Sequence, residues 1–169
     1  MKYSVPTVSI NLNAVKHNYL NVKKFCKTAE TSALVKATSY GLGGENRIVA
    51  TLVKCGCKQF FVAQINEGLK IRRKFKNIKV NILNGCNKNE EKILYSNNLT
   101  PVINTTEQLN RWLNFLKNKK KNRLIIHFDT GMCRLGIQQN DIGKVVKLKS
   151  KIDQFKEVIV MSHLACAGV

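Results

Sequence analysis

Three stretches of the chain place reactive side chains just past apolar runs. Lys36 closes Ala33-Leu34-Val35 and is followed by Tyr40-Gly41-Leu42-Gly43-Gly44. A lysine is costly in an apolar core. An amine at the mouth of a strand, facing a pocket, is suited to Schiff-base chemistry with an aldehyde; the plainer reading is a surface lysine at a strand end. The glycines would let backbone amides approach a phosphate, and the Tyr40 hydroxyl could add a hydrogen bond. The second stretch, Asp129-Thr130-Gly131-Met132-Cys133-Arg134-Leu135-Gly136-Ile137, follows Leu124–Phe128. It reads either as a turn whose carboxylate and guanidinium pair, or as an arginine aimed into the pocket of Lys36. The arginine's fixed fork suits a phenolate or phosphate oxygen. The third, Met161-Ser162-His163-Leu164-Ala165-Cys166-Ala167, sets a histidine past another apolar run. Its role is structural, or it stacks on or orients a cofactor.

The elements that must position these groups follow a rhythm. Leu12, Val15, Tyr19, Val22 and Phe25 recur at helical spacing, which predicts a helix over 13–27 with Asn13 as its cap. Before it, residues 7–12 alternate like a strand. Short apolar strands are then expected at 32–35, 60–63, 80–85, 101–103, 124–128 and 158–161. Helices are expected between them at 46–55, 65–75, 90–95, 106–116 and 142–149. Alternation of this kind argues for parallel β/α units. No G-x-G-x-x-G follows the first of these strands, which weakens a dinucleotide fold. The polar residues cluster just after strands, as on the carboxyl-end rim of a barrel. Two α/β architectures therefore compete, an open doubly wound sheet and a barrel, and six strands are too few to close an eight-stranded barrel.

Composition narrows the field. The chain of 169 residues is 44% hydrophobic and has two prolines, enough for one domain with a real core. No run approaches about 18 apolar residues, so no membrane span is expected. The start lacks an apolar signal region, and a cytoplasmic protein is expected. The net charge of +19 raises nucleic acid as a partner. However, the dense run Lys117–Arg123 reads as a solvated loop without the interleaved aromatics of a single-strand platform. Six cysteines without a C-x-x-C pair read as free thiols. His127, Cys133 and His163 lack the context of a zinc site, and no metal is expected.

The three stretches together resemble one family. LVKATSYGLG is similar to the pyridoxal phosphate lysine motif of alanine racemases, V-K-A-x-A-Y-G-H/L-G. DTGMCRLGI resembles their D-T-G-M-x-R-L-G, and MSHLACA their S-H-F-A-x-A-D. NLNAVKHNYL resembles the family's opening I-D-L-x-A-L-x-H-N, so the likeness runs from about residue 7 to residue 167. The resemblance implies interconversion of L-alanine and D-alanine with pyridoxal 5'-phosphate, supplying D-alanine for peptidoglycan. It implies that Lys36 binds the cofactor as a Schiff base and acts as one of two catalytic bases. Tyr40 would bond the phosphate and Arg134 the 3-hydroxyl oxygen. His163 would sit beside the ring.

Two departures qualify what the resemblance implies. His127 stands where many members have a lysine, often carbamylated, that braces the arginine. A neutral histidine can still hydrogen-bond Arg134, but adds no negative charge. Members of the family are also longer, with further barrel strands and a carboxyl-terminal β-domain that carries the second base. The resemblance thus implies an α/β fold, a (β/α) barrel of TIM type incomplete at about six of eight strands. The whole chain, 1–169, would be the amino-terminal barrel part, truncated or split, with little activity alone. Its partners would be alanine, a second copy in a homodimer or a complementary carboxyl-terminal fragment. The divergence at Gly168-Val169 suits a frameshift. The alternatives are a non-catalytic remnant, a pyridoxal phosphate homeostasis-type protein and a basic nucleic-acid-binding module.

Overall fold

A computed structural model describes residues 6–166. The strands are β1 (Ala33–Leu34), β2 (Gln59–Val62), β3 (Lys79–Ile82), β4 (Leu99–Ile103), β5 (Arg123–His127) and β6 (Glu157–Met161). They pair in chain order and all in parallel. A doubly wound sheet reverses its strand order at a switch point; this one does not, and it forms the half-barrel expected. The helices α1 (Leu12–Phe25), α2 (Glu45–Lys54), α3 (Ile65–Lys74), α4 (Glu91–Ser96), α5 (Thr106–Phe115), α6 (Ile142–Val146) and α7 (Lys149–Ile152) complete the α/β alternation.

Period-two alternation sorts each strand into two faces. Phe60, Val62, Val80, Ile82, Leu124 and Ile126 face the helices in one buried core with Val49, Leu52, Ile71, Leu109 and Trp112. Gly68 lets α3 lie close on the sheet, since a Cβ there would sit 2.7 Å from Ile82 Cδ1. The opposite face carries polar residues near the amino ends of the strands. Arg123 of β5 donates to Asn81 Oδ1 of β3 (3.0 Å) and to Gln59 Oε1 of β2 (2.6 Å). Its Nε lies 3.1 Å from Glu157 Oε2 of β6, near enough for charge attraction but not aligned as a hydrogen bond. Arg123 thus departs from the solvated loop expected for 117–123: it opens β5, with its side chain 8% exposed.

Three local expectations are corrected. Residues 7–12 form no strand. Ile10 and Leu12 instead line a groove with Gly44 and Ile48 at the start of α2, which accounts for their alternation. The first helix begins at Leu12 and is capped by Asn11, whose Oδ1 accepts from Asn13 N (3.0 Å) and Ala14 N (3.1 Å). Asn13 lies inside it. The helix expected at 142–149 is two short helices. The turn between them tightens through Leu148 N–H donating to Val145 O at 2.9 Å.

The ends of α3 and α4 share one buried arginine. Arg72, 7% exposed, donates to the carbonyls of Phe75, Lys76 and Ile78 after α3, and to those of Asn97 and Asn98 after α4. Helix ends leave carbonyls without intrahelical partners, and here one guanidinium serves two ends. Arg72→Met is expected to lower the unfolding free energy by about 3 kcal/mol, because a lost donor strands acceptors at roughly 1–3 kcal/mol each. Urea denaturation followed by far-UV circular dichroism checks this; a change within 0.5 kcal/mol, the ordinary range for surface substitutions, would refute it.

Candidate active site

The carboxyl ends of the strands surround an open concavity of about 620 Å³. Lys36 and Tyr40 after β1, His127 at the end of β5, Arg134 in the following loop and His163 after β6 all line it. The four predicted site residues, Lys36, Tyr40, Arg134 and His163, therefore converge. Leu34, Phe61, Ala63, Leu83 and Met161 make the rest of the wall largely apolar.

Lys36 is placed by pairing and parity. Val35 N–H donates to Phe61 O at 2.9 Å, which carries the β1–β2 pairing one residue past β1. Val35 is buried on the helix side, and Lys36, half-buried, falls on the opposite face. The chain then makes one left-handed turn. φ is 51° at Ala37, 55° at Thr38 and Ser39, and 60° at Tyr40. Each non-glycine residue in this region costs roughly 1–2 kcal/mol, so four in succession need support from outside. Inside the turn, Gly41 N–H donates to Ala37 O (2.8 Å), Gly43 N–H to Thr38 O (3.0 Å) and Leu42 N–H to Ser39 O (3.3 Å). These amides are committed to the turn itself, so the anion cradle expected of the glycine-rich stretch is not formed by them. Outside support comes from Glu67 Oε1, which accepts from Ala37 N at 2.6 Å.

The loop that presents Arg134 is organised by Asp129. Its Oδ1 accepts from Gly131 N (3.0 Å) and Cys133 N (3.1 Å), and its Oδ2 from Gln138 Nε2 (2.9 Å). The Gln138 amide, then the loop N–H groups, hold this carboxyl below its ordinary value. At the far end of the loop Gly136, with φ 114°, presses against Asp129. A Cβ there would sit 2.6 Å from Asp129 N, so no other residue fits. Asp129 is thus committed to its own loop. Arg134 stays exposed, with no carboxylate partner among the described residues, which settles the choice left open between a paired turn and a free guanidinium. A hydrogen bond between Thr130 and Ser162 laces this loop to the one bearing His163.

His127 is 6% exposed on the concavity wall. Its Nδ1 lies 2.8 Å from Asn104 Oδ1. Asn104 Nδ2 donates to Leu83 O (2.8 Å) and Val102 O (3.0 Å), which fixes its amide and leaves Oδ1 as the acceptor. Nδ1 therefore carries the proton, and Nε2 is a buried acceptor without a partner among the described residues. Burial lowers the pKa of His127, with Asp129 opposing and His163 and Arg134 reinforcing the shift.

Glu67, Asn104 and Gln108, whose Oε1 accepts from Asn104 N at 2.9 Å, escaped the sequence reading. For Glu67 a signal existed: Gln64 and Glu67 have the spacing of a capping box and form one at the start of α3. For Asn104 and Gln108 none did: beyond their contacts with each other and with Val102, their partners Leu83, His127 and Asn84 lie on other strands and loops.

Comparison with known proteins agrees with this geometry. Residues 10–169 match the family model for the alanine racemase N-terminal domain. The chain is similar to alanine racemase of Rickettsia africae, 36% identical over 166 residues, covering 96% of this chain and 46% of that protein. It is 35% identical to the catabolic alanine racemase of Agrobacterium fabrum, over 95% of this chain and 42% of that one. Alanine racemase from Bartonella henselae, solved with covalently bound pyridoxal phosphate, superposes with a TM-score of 0.87 at 32% identity; the match covers 93% of this chain and 46% of that chain. The chain thus spans less than half the length of these relatives. A family match running from residue 10 to residue 169 shows the kinship: the chain belongs to the alanine racemases, within their N-terminal domain.

Proposed function

We propose that this chain holds pyridoxal phosphate and acts in the interconversion of L-alanine and D-alanine as the barrel part of a racemase. The observation that carries this reading is the convergence of Lys36, Tyr40, Arg134 and His163 on one concavity. The residues suit the cofactor. An amine, a guanidinium without a carboxylate partner among the described residues and the buried acceptor His127 Nε2 share a wall otherwise largely apolar, which fits an aromatic ring that carries an aldehyde, one hydroxyl and a phosphate. When bound, pyridoxal phosphate supplies an electron sink that acidifies the α-hydrogen of an amino acid.

The roles proposed for the protein's own groups follow. Lys36 Nζ would hold the cofactor covalently at rest and, as a free amine once substrate is bound, would take or return the α-proton on its side of the substrate. The Tyr40 hydroxyl donates to the phosphate. Arg134 donates to the 3-hydroxyl oxygen, and His163 flanks the ring. His127, kept neutral, offers its free Nε2 on the same wall as Arg134, an acceptor that an N–H of Arg134 could reach only by moving toward it, and adds no charge. Inversion needs a proton-transfer group on the opposite face as well. We assign that group to protein beyond the described residues, supplied by a second copy or by a complementary chain. Both β1 and β6 are edges of the described sheet, and on β6 Val158 and Val160 are 41% and 70% exposed, which suits such an addition. A cytoplasmic setting suits peptidoglycan precursor supply; no helix among the described residues is long and apolar enough to cross a membrane.

Two outcomes are expected. With pyridoxal phosphate and L-alanine in deuterium oxide, the chain should place deuterium at the α-carbon of alanine, read by mass spectrometry. Lys36→Ala should reduce this to the level without protein; equal exchange by both would end the reading. The second outcome concerns pH. Folding favours neutral His127, so its contribution is fully present above the ordinary histidine pKa of about 6.5 and is lost as pH falls through that value toward the folded one. Unfolding free energy should fall between pH 7 and pH 5 in the parent chain and in His163→Gln, but less in His127→Gln. Asp129, whose folded pKa is also depressed, acts in the same direction but in a lower window: its share is present above the usual carboxylate pKa and lost as pH falls through its folded value. An unchanged slope in His127→Gln would refute the assignment.

A further inference from the structure

The left-handed turn after Lys36 departs from the surface at one point. Its first amide, Ala37 N–H, has no acceptor within the turn and donates to Glu67 Oε1 at 2.6 Å. The other oxygen of the same carboxylate accepts from Ala63 N (2.8 Å) and Gln64 N (2.9 Å), where β2 passes into α3. One side chain thus ties the residue next to Lys36 to the neighbouring wall of the concavity, to which Ala63 itself belongs. We propose that Glu67 is a positioning residue for Lys36, holding the strained Ala37–Tyr40 turn so that the amine stays at the concavity.

The chemistry requires a carboxylate of this length. Both oxygens accept, and three N–H groups from two segments are satisfied at once. A glutamine offers one acceptor oxygen and an NH₂. It can keep the capping contact with Ala63 and Gln64, but its NH₂ then faces Ala37 N–H, donor against donor. An aspartate keeps the charge but is one methylene shorter and cannot bridge both segments. A residue serving only to cap α3 would not link the conformation of Ala37–Tyr40 to the reactivity of Lys36. The proposal rests on the reading of Lys36 as the cofactor lysine, and its test has one arm that does not.

The first arm is amide hydrogen exchange by NMR, without cofactor. In Glu67→Gln and Glu67→Asp, the amides of Ala37, Gly41 and Gly43 should exchange at least tenfold faster, while those of β3, β4 and β5 keep their protection. Unchanged protection in the turn overturns the clamp. The second arm is brief treatment with pyridoxal phosphate, borohydride reduction and peptide mapping. Lys36 labelling should fall at least tenfold in both variants relative to an exposed reference, Lys149. Adding Thr38→Gly and Ser39→Gly to Glu67→Gln should recover labelling, because glycine adopts positive φ without penalty. Labelling that falls but is not recovered by the glycines assigns Glu67 to helix capping and overturns the proposal. If Lys36 in the parent chain shows no preference over Lys149, the cofactor reading fails, and the exchange arm still decides the clamp.

Discussion

The half-barrel is held in register by the fork of Arg123, whose contacts run from β5 to Gln59 on β2, Asn81 on β3 and Glu157 on β6. A one-residue slip of a strand turns every side chain to the other face. Such a slip in β5 would bury Ile126 in the concavity and carry His127 into the helix layer. Burial lowers the pKa of Arg123, an effect that Glu157 partly offsets. The Glu157 side chain is 43% exposed, so its attraction is screened and worth about 0–1 kcal/mol as a surface pair. Hydrogen bonds to a charged group contribute about 1.5–3 kcal/mol each, so the contacts with Asn81 and Gln59 dominate.

At the other end of the strands the electrostatics have the opposite purpose. Two carboxylates lie close to the concavity, and among the described residues neither forms an ion pair with Lys36 or Arg134. Asp129 is committed to the N–H groups of its own loop and to Gln138. Glu67 is committed to Ala37, Ala63 and Gln64. Lys36 and Arg134 are left without anionic partners among the described residues. His127, neutral and tethered through Asn104, adds an acceptor rather than a charge. Lys36 and Arg134 are therefore free to meet an anionic ligand in the concavity that both line.

Much of this was legible from local pattern. The six parallel strands follow from short apolar runs separated by helical periodicity, because burial on both faces demands continuous apolar strands. The convergence of Lys36, Tyr40, Arg134 and His163 follows once those strands are read as parallel, since their carboxyl ends then lie on one rim. Residues 7–12 misled because alternation records only that Ile10 and Leu12 are covered; it does not say whether a strand or a helix covers them. The glycine-rich stretch misled in a similar way. Glycines permit a turn, but whether their amides face a ligand or close on the turn depends on the handedness of Ala37–Tyr40.

The amino-acid sequence by itself determined the order of elements, the parity that puts Lys36 and His127 on the inner face, and the motifs that mark the family. These are properties of neighbours along the chain, set by side-chain size, polarity and periods of two and 3.6 residues. Tertiary structure alone decided which polar groups are spent and which remain free. Glu67 reaches back 30 residues to Ala37, Asn104 orients a histidine 23 residues away, and Arg123 spans 64 residues to Gln59. Such contacts depend on which strands become neighbours and on how the backbone turns between them. Hydrogen bonding is directional and short-ranged, so these pairings take shape only once the sheet has assembled.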